Sequence, residues 1–428
     1  MTQHHPSPAD TPDQRDQRVD PKQRRDRLAE STLDLLAFDT QNPPGETTEL
    51  LVWLEGVILE WGVGIEWIET VDSKPNLVAT IPGKREWTLL YEGHVDTVPF
   101  EPEEWTYDPL GERVAGRIYG RGATDMKGAV AAMVETLRRF ATADEQPPVT
   151  LQFAFVSDEE TGGEAGVDAV LAADAISADA AVVGETTATA DRYSVAVADK
   201  GRIWLTLEAS GESAHGSRPM CGENAVDRLY EVISGCREAI TTGRLGYPET
   251  VDRIVTETVD YYAAGDPSPL ASEEAFAYPT VNLGRLEGGS TVNSVPGTAT
   301  AEVDVRVTPG ASTQAVFDRI DACLGAKPDI SITEVSIQEG SYTDPDAPFV
   351  DRVVEVGEAI GDQRVFRRCA TGGGDVKKLR AAGIPAVEAA VGSETAHQAD
   401  EYISVDALAA TAEWYGWLPS LLDDQLSS

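Results

Sequence analysis

Three segments of the chain combine histidine and carboxylate residues in a pattern that fits metal chemistry. The first contains His94 and Asp96, the second contains Asp125, and the third contains the adjacent pair Glu159 and Glu160. Each segment follows an apolar run and includes a turn marked by glycine. Strands that end at such turns present their side chains at one edge of a sheet, and zinc accepts imidazole and carboxylate ligands. The sequence therefore predicts a metal site at the carboxyl ends of several strands.

Histidine is scarce, which narrows the search for further ligands. Of five histidines, two lie in the polar N-terminal segment, and the others are His94, His215 and His397. These three lie in loop-like segments rich in glycine or serine, where a side chain is free to serve a site. Glu185 joins the candidates because it follows the apolar run 180–183.

Some of these residues also have an ordinary structural interpretation. Asp125 precedes a predicted helix and could cap it. The pair Glu159 and Glu160 could be solvated surface in a chain with 73 acidic residues, although it directly follows an apolar strand. His397 could be an ordinary loop histidine. The metal interpretation rests on the whole set of residues.

The elements that must position these residues alternate between helical and strand patterns. Apolar residues at helical spacing occur early in the chain at residues 27–38, 48–61 and 128–140. Apolar runs that indicate strands occur at residues 76–81, 87–91, 149–156 and 180–183. Acidic residues follow several of these strands, and the alternation is typical of an open α/β sheet.

The pattern changes after Lys200 and returns to the α/β alternation at Gly340. Between them, strands and helices are predicted at 202–210, 224–240, 280–286, 298–307, 313–324 and 330–338. This order, βαββαβ, is that of a ferredoxin-like α+β domain. The acidic stretch 245–277 is predicted to be an exposed, irregular insertion. We therefore expect an α/β catalytic domain (27–198 and 340–420), an inserted domain (199–339), and a disordered polar tail (1–26).

The chain is strongly acidic, with 34 basic residues against 73 acidic residues and a net charge of −39. The negative electrostatic field of such a chain repels nucleic acids and anionic membranes, so neither is expected as a partner. A dispersed acidic excess is typical of proteins from halophiles, because concentrated salt screens the self-repulsion; an ordinary acidic cytosolic enzyme is the alternative. The N-terminus has no apolar stretch of a signal peptide, and no segment is apolar enough to span a membrane. We expect a cytoplasmic protein.

The four cysteines (Cys221, Cys236, Cys323 and Cys369) form no CxxC pair and no dense framework. This spacing argues against a disulfide scaffold. We expect all four to be buried small hydrophobic residues in a reducing compartment.

Six motifs, in order, resemble those of a known family. The motifs lie at residues 94–99, 120–128, 158–160, 184–185, 214–219 and 396–401. With them the chain resembles the zinc aminoacylases and carboxypeptidases that include acetylornithine deacetylase, succinyl-diaminopimelate desuccinylase and carboxypeptidase G. The similarity covers nearly all of the chain except the tail. It implies a zinc-peptidase-like catalytic domain with an inserted lid and dimerisation domain.

The resemblance implies a site for two divalent ions, zinc by preference, with cobalt or manganese as substitutes. His94 and Glu185 would hold one ion, Glu160 and His397 would hold the other, and Asp125 would bridge them. Two such ions polarise an amide oxygen and lower the pKa of a shared water.

The resemblance also implies roles for two carboxylates beside the ligands. Asp96 would accept a hydrogen bond from the far ring nitrogen of His94 and fix its tautomer. Glu159 would take a proton from the activated water and deliver it to the leaving amine.

Three residues of the inserted domain match positions that contact the substrate in the family. Arg306 and Asn293 would bind the substrate carboxylate, since an arginine fork suits this group. His215 would donate a hydrogen bond to the developing oxyanion in the active site of a neighbouring subunit. The ordinary alternatives are an ion pair for Arg306, a turn for Asn293, and a helix cap or an exposed position for His215. In the family a hydroxyl residue normally precedes the aspartate of the glycine-rich loop, and here Gly374 takes its place before Asp375.

The resemblance implies a metal-dependent amidohydrolase that removes an acetyl or succinyl group from a small N-acyl amino acid. A metallo-carboxypeptidase or dipeptidase is the alternative within the family. A homologue that binds metal or ligand without turnover is a further alternative. The resemblance also implies a homodimer formed through the inserted domain.

Overall fold

The computed structural model describes residues 20–265, 268–325, 327 and 329–427. The polar tail was predicted at residues 1–26, and its residues 1–19 lie outside the described residues. The chain divides into two compact units. The first consists of Met1–Val197, Thr343–Arg367 and Gly374–Ser428, and the second consists of Ala198–Tyr342 and Arg368–Gly373.

The part of the chain before the insertion begins with two helices and continues with strands and helices in alternation. Its helices are α1 (Pro21–Leu36), α2 (Thr48–Leu59), α3 (Lys127–Ala141) and α4 (Val167–Ala172). Its strands are β1 (Gly64–Ile68), β2 (Asn76–Ile81), β3 (Arg85–His94), β4 (Glu112–Val114), β5 (Arg117–Tyr119), β6 (Val149–Val156), β7 (Ala180–Val183) and β8 (Tyr193–Asp199).

The second unit and the remaining chain follow. The second unit contains β9 (Gly201–Ser210), α5 (Ala225–Ile240), α6 (Glu249–Ala263), α7 (Glu274–Ala277), β10 (Thr280–Gly288), β11 (Thr298–Val307), α8 (Thr313–Leu324), β12 (Ile330–Gln338) and β13 (Ser341–Tyr342). The last elements are α9 (Pro348–Gly361), β14 (Val365–Ala370), α10 (Val376–Ala381), β15 (Ala386–Glu388), β16 (Tyr402–Ser404) and α11 (Val405–Ser427).

The main sheet of the first unit brings the carboxyl ends of parallel strands to one edge. Its strand order runs β1-β2-β6-β3-β7-β15-β8. Strand β3 is parallel to both β6 and β7, and β15 is parallel to β7. His94, the last residue of β3, lies opposite Val156, the last residue of β6. The predicted α/β sheet is therefore confirmed, and the ends of its parallel strands meet as expected.

Apolar packing explains why these segments form strands and helices. Residues of β3 and β6 such as Leu89, Tyr91 and Phe153 are fully buried. Helix α3 is buried over most of its surface, because the main sheet contacts it on one side and helices α1 and α11 pack against it elsewhere. The Tyr91 hydroxyl donates a hydrogen bond of 2.6 Å to the Tyr415 carbonyl of α11.

Helix α1 begins earlier than the predicted start at residue 27. It starts at Pro21, and the Asp20 side chain accepts a hydrogen bond from the Lys22 amide. Proline in the first turn and aspartate as the capping residue are a favourable start for a helix. The apolar spacing located the core-facing turns of this helix but gave no information about its polar first turns.

The second unit has the predicted ferredoxin-like order. Its four-stranded antiparallel sheet runs β10-β11-β9-β12. One face of the sheet shares a core with α5 and α8, formed by residues such as Ile203, Leu229 and Ile320. Alternate residues of β9 are buried and solvent-accessible, as a sheet covered on one face requires.

Two predictions about the second unit are wrong. The stretch 245–277 is not irregular, because it forms α6 and α7, and α6 buries Val251, Ile254 and Val255. These residues have helical spacing, which the acidic composition obscured. Among the cysteines, Cys236 and Cys369 are buried and Cys323 is half-buried, but Cys221 is exposed.

Among the described residues, no helix has the length and apolar character needed to cross a membrane.

Candidate metal centre

His94 is the most buried of the predicted ligands and contacts two carboxylates. It is almost fully buried at the end of β3. Its Nε2 atom lies 3.2 Å from Oδ1 of Asp125 and 3.4 Å from Oε1 of Glu185. Glu185 follows β7, the parallel neighbour of β3, and Asp125 lies just before α3. The strand pairing and the start of α3 therefore bring these three residues together.

Asp125 lies between the two imidazoles. Its second oxygen, Oδ2, lies 3.1 Å from Nε2 of His397, and the same nitrogen lies 3.5 Å from Oε2 of Glu160. Glu160 follows β6 and accepts a hydrogen bond of 3.2 Å from the Val98 amide through its other oxygen. The structure therefore brings together all five predicted ligands, with one Asp125 oxygen toward each histidine.

These residues form overlapping sets whose donor atoms lie within 4.8 Å of one another. One set contains His94, Asp125 and Glu185, and another contains Asp125, Glu160 and His397. Asp125 belongs to both. Imidazole nitrogens and carboxylate oxygens are the donors that zinc accepts, so the two sets fit two ions that share Asp125.

The electrostatics of the cluster also favour cations. Hydrogen bonds to Asp125 and Glu160 raise the pKa of His397 to about 10. Burial, and then the charge of Asp125, raise the pKa of Glu185 to about 7. Burial opposes protonation of His94, but hydrogen bonds to Asp125, Asp96 and Glu185 raise its pKa well above the usual value. The carboxylates thus create a negative potential that binds protons and would also be neutralised by divalent ions.

Asp96 connects His94 to the loop that follows β6. The His94 Nδ1 atom lies 3.0 Å from the Asp96 carbonyl oxygen and 3.5 Å from its Oδ1 atom. The Asp96 carboxylate also accepts hydrogen bonds of 3.2 Å from the amides of Glu159 and Glu160. Burial alone would raise the pKa of Asp96, but hydrogen bonds from His94, Asn42 and the Glu160 amide lower it. Asp96 therefore holds His94 and the loop of Glu159 and Glu160 in place through hydrogen bonds.

Glu159 is adjacent to Glu160 and also lies close to His94. It lies with His94 and Glu160 in a third candidate set. Burial, together with the charges of Asp375 and Glu185, raises its pKa well above the usual value. A Cβ atom at Gly374 would lie 3.0 Å from Oε1 of Glu159. The glycine at this position therefore leaves room for the Glu159 carboxylate.

Glu401 and Asn42 support the cluster, and the sequence assigned neither a role. Glu401 is fully buried. It accepts hydrogen bonds from the amides of Thr124 and Asp125 and one of 2.6 Å from Nη1 of Arg121. Glu401 lies in the motif that contains His397, so its proximity to a ligand was the available signal. Its contact with residues almost three hundred positions earlier could not be read from that motif.

Asn42 bridges two loops through one amide nitrogen. Its Nδ2 atom donates hydrogen bonds to Asp96 at 2.8 Å, to Asp158 at 3.1 Å and to Thr161 at 3.0 Å. Asp158 also forms an ion pair with Lys74. In the sequence, the only feature that distinguished Asn42 was its position as a polar residue followed by two prolines.

The three predicted substrate-contacting residues lie in the second unit. His215 is exposed, its Nδ1 atom lies 2.8 Å from Oγ of Ser217, and its backbone forms a bridge to Ser294. Asn293 is also exposed, and its carbonyl accepts a hydrogen bond of 2.6 Å from the Gly216 amide. The structure therefore brings the segments of His215 and Asn293 together. Arg306 lies on β11 and donates a hydrogen bond of 2.8 Å to Asp304.

An edge of parallel strands that gathers imidazoles and carboxylates around one shared aspartate is the arrangement of a metallohydrolase. The chain belongs to the peptidase family M20/M25/M40, whose family model matches residues 90–418. It is therefore a hydrolase that acts on amide bonds.

Similar proteins support this assignment. The chain is 30% identical to acetylornithine deacetylase of Proteus mirabilis over 374 residues, which is 86% of this chain and 87% of the relative. The fold is similar to that of an M20 family metallo-carboxypeptidase from Sulfolobus solfataricus, with a TM-score of 0.77, 20% identity, and 93% and 99% of the two chains covered. It is also similar to a dinuclear metal-binding M20 peptidase from Bacillus subtilis, with a TM-score of 0.65, 17% identity, and 94% and 99% covered.

Proposed function

We propose that the protein is a two-metal deacylase that removes an acetyl or succinyl group from an N-acyl amino acid. The observation that carries the proposal is the position of Asp125, with one oxygen toward His94 and the other toward His397. The similarity to acetylornithine deacetylase over most of both chains supports this choice of substrate class.

His94, Glu185 and Asp125 would hold one ion, and Asp125, Glu160 and His397 would hold the other. When bound, the two ions would polarise the amide carbonyl and lower the pKa of a water molecule. Zinc is the metal that this mixture of nitrogen and oxygen donors favours, with cobalt or manganese as substitutes.

Glu159 would act as the general base and then as the general acid. Its carboxylate is buried among other acidic groups, which raises its pKa and so strengthens it as a base. It would take the proton from the attacking water and deliver it to the amine that leaves. Asp96 would accept a hydrogen bond from the Glu159 amide, which holds the Glu159 loop, and would keep His94 in one orientation.

Residues of the second unit would bind the substrate. Arg306 would hold the substrate carboxylate with its guanidinium group, and Asn293 would assist it. His215 would donate a hydrogen bond to the oxyanion in the active site of a partner subunit, in a homodimer formed through the second unit. Sedimentation of the protein in concentrated KCl would test the dimer, and a monomer at all protein concentrations would contradict it.

A metallo-carboxypeptidase or dipeptidase is the second candidate. The similarity to the Sulfolobus solfataricus metallo-carboxypeptidase over 93% of this chain favours it. Both activities hydrolyse an amide bond next to a carboxylate, so the same residues would serve either one.

The test is amide hydrolysis by the purified protein in multimolar KCl, with and without added zinc or cobalt. The substrates are acetylornithine, succinyl-diaminopimelate, a set of acyl-glutamates and a set of dipeptides. Metal-dependent release from an acyl amino acid is the expected result. Turnover of dipeptides alone would favour the second candidate, and the absence of turnover with both metals bound would contradict both.

A further inference from the structure

Two cysteines of the second unit contact each other across a pair of helices. Cys236 lies on α5, Cys323 lies on α8, and the two helices pack against each other. The Sγ atoms of these cysteines lie 2.7 Å apart, and both residues are free thiols. The cysteines are 87 positions apart in the chain. Their proximity is therefore a product of the fold and not of the local sequence.

The two sulfurs meet in a well-packed part of the second unit. Cys236 belongs to the buried core that α5 and α8 share with the sheet, and Cys323 packs against that core. One turn before Cys323, the guanidinium group of Arg319 donates a hydrogen bond of 3.0 Å to the Thr242 carbonyl, just beyond the end of α5. Residues four positions apart lie on the same side of a helix. The side of α8 that carries Arg319 and Cys323 therefore faces α5.

The surroundings of Cys236 leave room for its side chain to move. A disulfide joins two sulfurs at about 2.0 Å, so bond formation requires the thiols to come only slightly closer. A close-packed protein interior resists even small changes of side-chain position. Here, however, an apolar cavity of about 20 Å³ borders Cys236. The cavity gives this side chain the freedom that bond formation needs.

The two thiols differ in their access to an oxidant. Cys323 is half-buried, whereas Cys236 is buried. Burial, and then the hydrogen bond with Cys323, raise the pKa of Cys236 to about 12. Cys236 therefore stays a neutral thiol at neutral pH, and the neutral thiol is a poor nucleophile. An oxidant in solution should consequently react with Cys323 first.

We propose that Cys236 and Cys323 form a reversible disulfide bond when the protein meets a peroxide, and that this bond links α5 covalently to α8. Hydrogen peroxide would oxidise the Cys323 thiol to a sulfenic acid and release one water molecule. The Cys236 sulfur would then attack the Cys323 sulfur, and the Cys236 proton would leave with the hydroxyl group as a second water molecule. One peroxide is thereby reduced and two thiols are oxidised. The bond lies within the second unit and does not depend on the proposed function.

The bond would restrict a long segment of the unfolded chain. The segment between the two cysteines contains α6, α7, β10 and β11. A cross-link that closes a loop stabilises the folded state mainly by restricting the unfolded chain, and its effect grows with the length of the loop. The second unit should therefore resist unfolding better after oxidation than before it.

Peptide mass spectrometry of the full-length protein tests the bond directly. The folded protein is treated with a slight excess of hydrogen peroxide, the remaining thiols are alkylated, and the peptides are compared before and after reduction with dithiothreitol. The expected product is a pair of peptides joined through Cys236 and Cys323. The absence of this pair, or bonds through Cys221 or Cys369 in its place, would overturn the proposal. The matched control is Cys221→Ser, which removes the exposed cysteine and should form the same bond.

Two single variants test the order of the steps. In Cys236→Ala the reaction should stop at a sulfenic acid on Cys323, which dimedone traps. In Cys323→Ala the buried Cys236 should stay a thiol under the same treatment. Oxidation of Cys236 in this variant as fast as in the wild type would contradict the assignment of Cys323 as the first target. The peptide measurement on the wild type requires no variant, so it tests the bond even if a variant fails to fold.

Urea unfolding tests whether the bond stabilises the second unit. The midpoint should be about 1 to 2 M higher for the oxidised than for the reduced wild type, as expected for a cross-link that closes a long loop. Dithiothreitol should return the midpoint to its original value. Cys323→Ala treated with peroxide should show no rise. A disulfide that forms without raising the midpoint would show that it does not stabilise the packing of α5 against α8.

Discussion

Asp125 shows how one carboxylate can serve two neighbours without losing its charge. Burial alone would raise its pKa, but the hydrogen bonds from His397 and His94 lower it well below its usual range. Its oxygens are directed to different histidines, so a single side chain fixes the distance between the two halves of the cluster. Glu185 and Glu159, by contrast, have raised pKa values, as expected where several acids share one buried space.

Replacing Glu159 should separate metal binding from catalysis. Glu159→Gln keeps the size of the side chain but removes the proton acceptor, so kcat should fall by at least about a hundredfold. Metal content, measured by plasma mass spectrometry, should stay at two ions per chain. The control is Glu164→Gln, an exposed glutamate of the same loop. Full activity in Glu159→Gln would show that another group moves the proton.

Replacing Glu401 should weaken metal binding without removing a ligand. Glu401→Gln leaves the buried Arg121 without its carboxylate partner and loosens the Asp125 loop. We expect metal affinity to fall by about ten- to hundredfold, as for other residues that orient metal ligands. Competition with a fluorescent chelator measures this affinity, and activity at saturating metal should return. Glu394→Gln, at a glutamate whose side chain is 72% exposed, is the control. Unchanged affinity in Glu401→Gln would mean that the loop holds its position without this contact.

At the scale of elements, the sequence predicted what depends on local pattern. The apolar runs before His94 and Glu159 indicated strands that end at the site, and the parallel order of β6, β3 and β7 brings those ends together. Glu401 and Asn42 were assigned no role because their partners are distant in the chain, and no local pattern records such contacts. The helices of the 245–277 segment were missed because acidic residues cover their solvent-facing side.

An ion-pair cluster connects helices α1 and α3. Glu135 of α3 accepts hydrogen bonds of 2.7 Å from Arg27 of α1 and 2.8 Å from Arg138. Burial alone would raise the pKa of Glu135, but these two arginines lower it below its usual value. A lowered folded-state pKa stabilises the fold above the unfolded-state pKa, and this stabilisation is lost as the pH falls.

Glu135→Gln should therefore lower the free energy of unfolding at neutral pH by about 1 to 3 kcal/mol, since it leaves two arginines with a weaker acceptor. The difference from the wild type should shrink as the pH falls below about 4.3, where Glu135 of the unfolded chain takes up a proton while the folded carboxylate is still charged. It should vanish once the folded carboxylate is also protonated. Urea unfolding at a series of pH values measures both effects. Glu30→Gln, at an exposed position of α1, should show neither. A difference that is constant with pH would indicate lost packing and not lost charge.

At the scale of the whole molecule, the acidic excess sets the conditions under which the fold is stable. Even if every one of the 34 basic residues paired with an acid, 39 of the 73 acidic residues would have no basic partner. Their mutual repulsion is absent or weaker in the expanded unfolded chain, so it lowers the free energy of unfolding at low salt. Salt also weakens the favourable ion pairs, but exposed pairs contribute little to stability.

Screening should therefore stabilise the protein. We expect the urea midpoint of unfolding to rise between 0.1 M and 2 M KCl, because the Debye length falls from about 10 Å to less than 3 Å over this range. Most of the rise should occur below about 1 M, where screening changes most. A parallel series in sucrose, which favours compact states without screening charge, should not show this early rise. A midpoint that is constant or falls in KCl would mean that the acidic surface does not destabilise the fold, and that the charge alone gives no reason to assign the protein to a salt-rich environment.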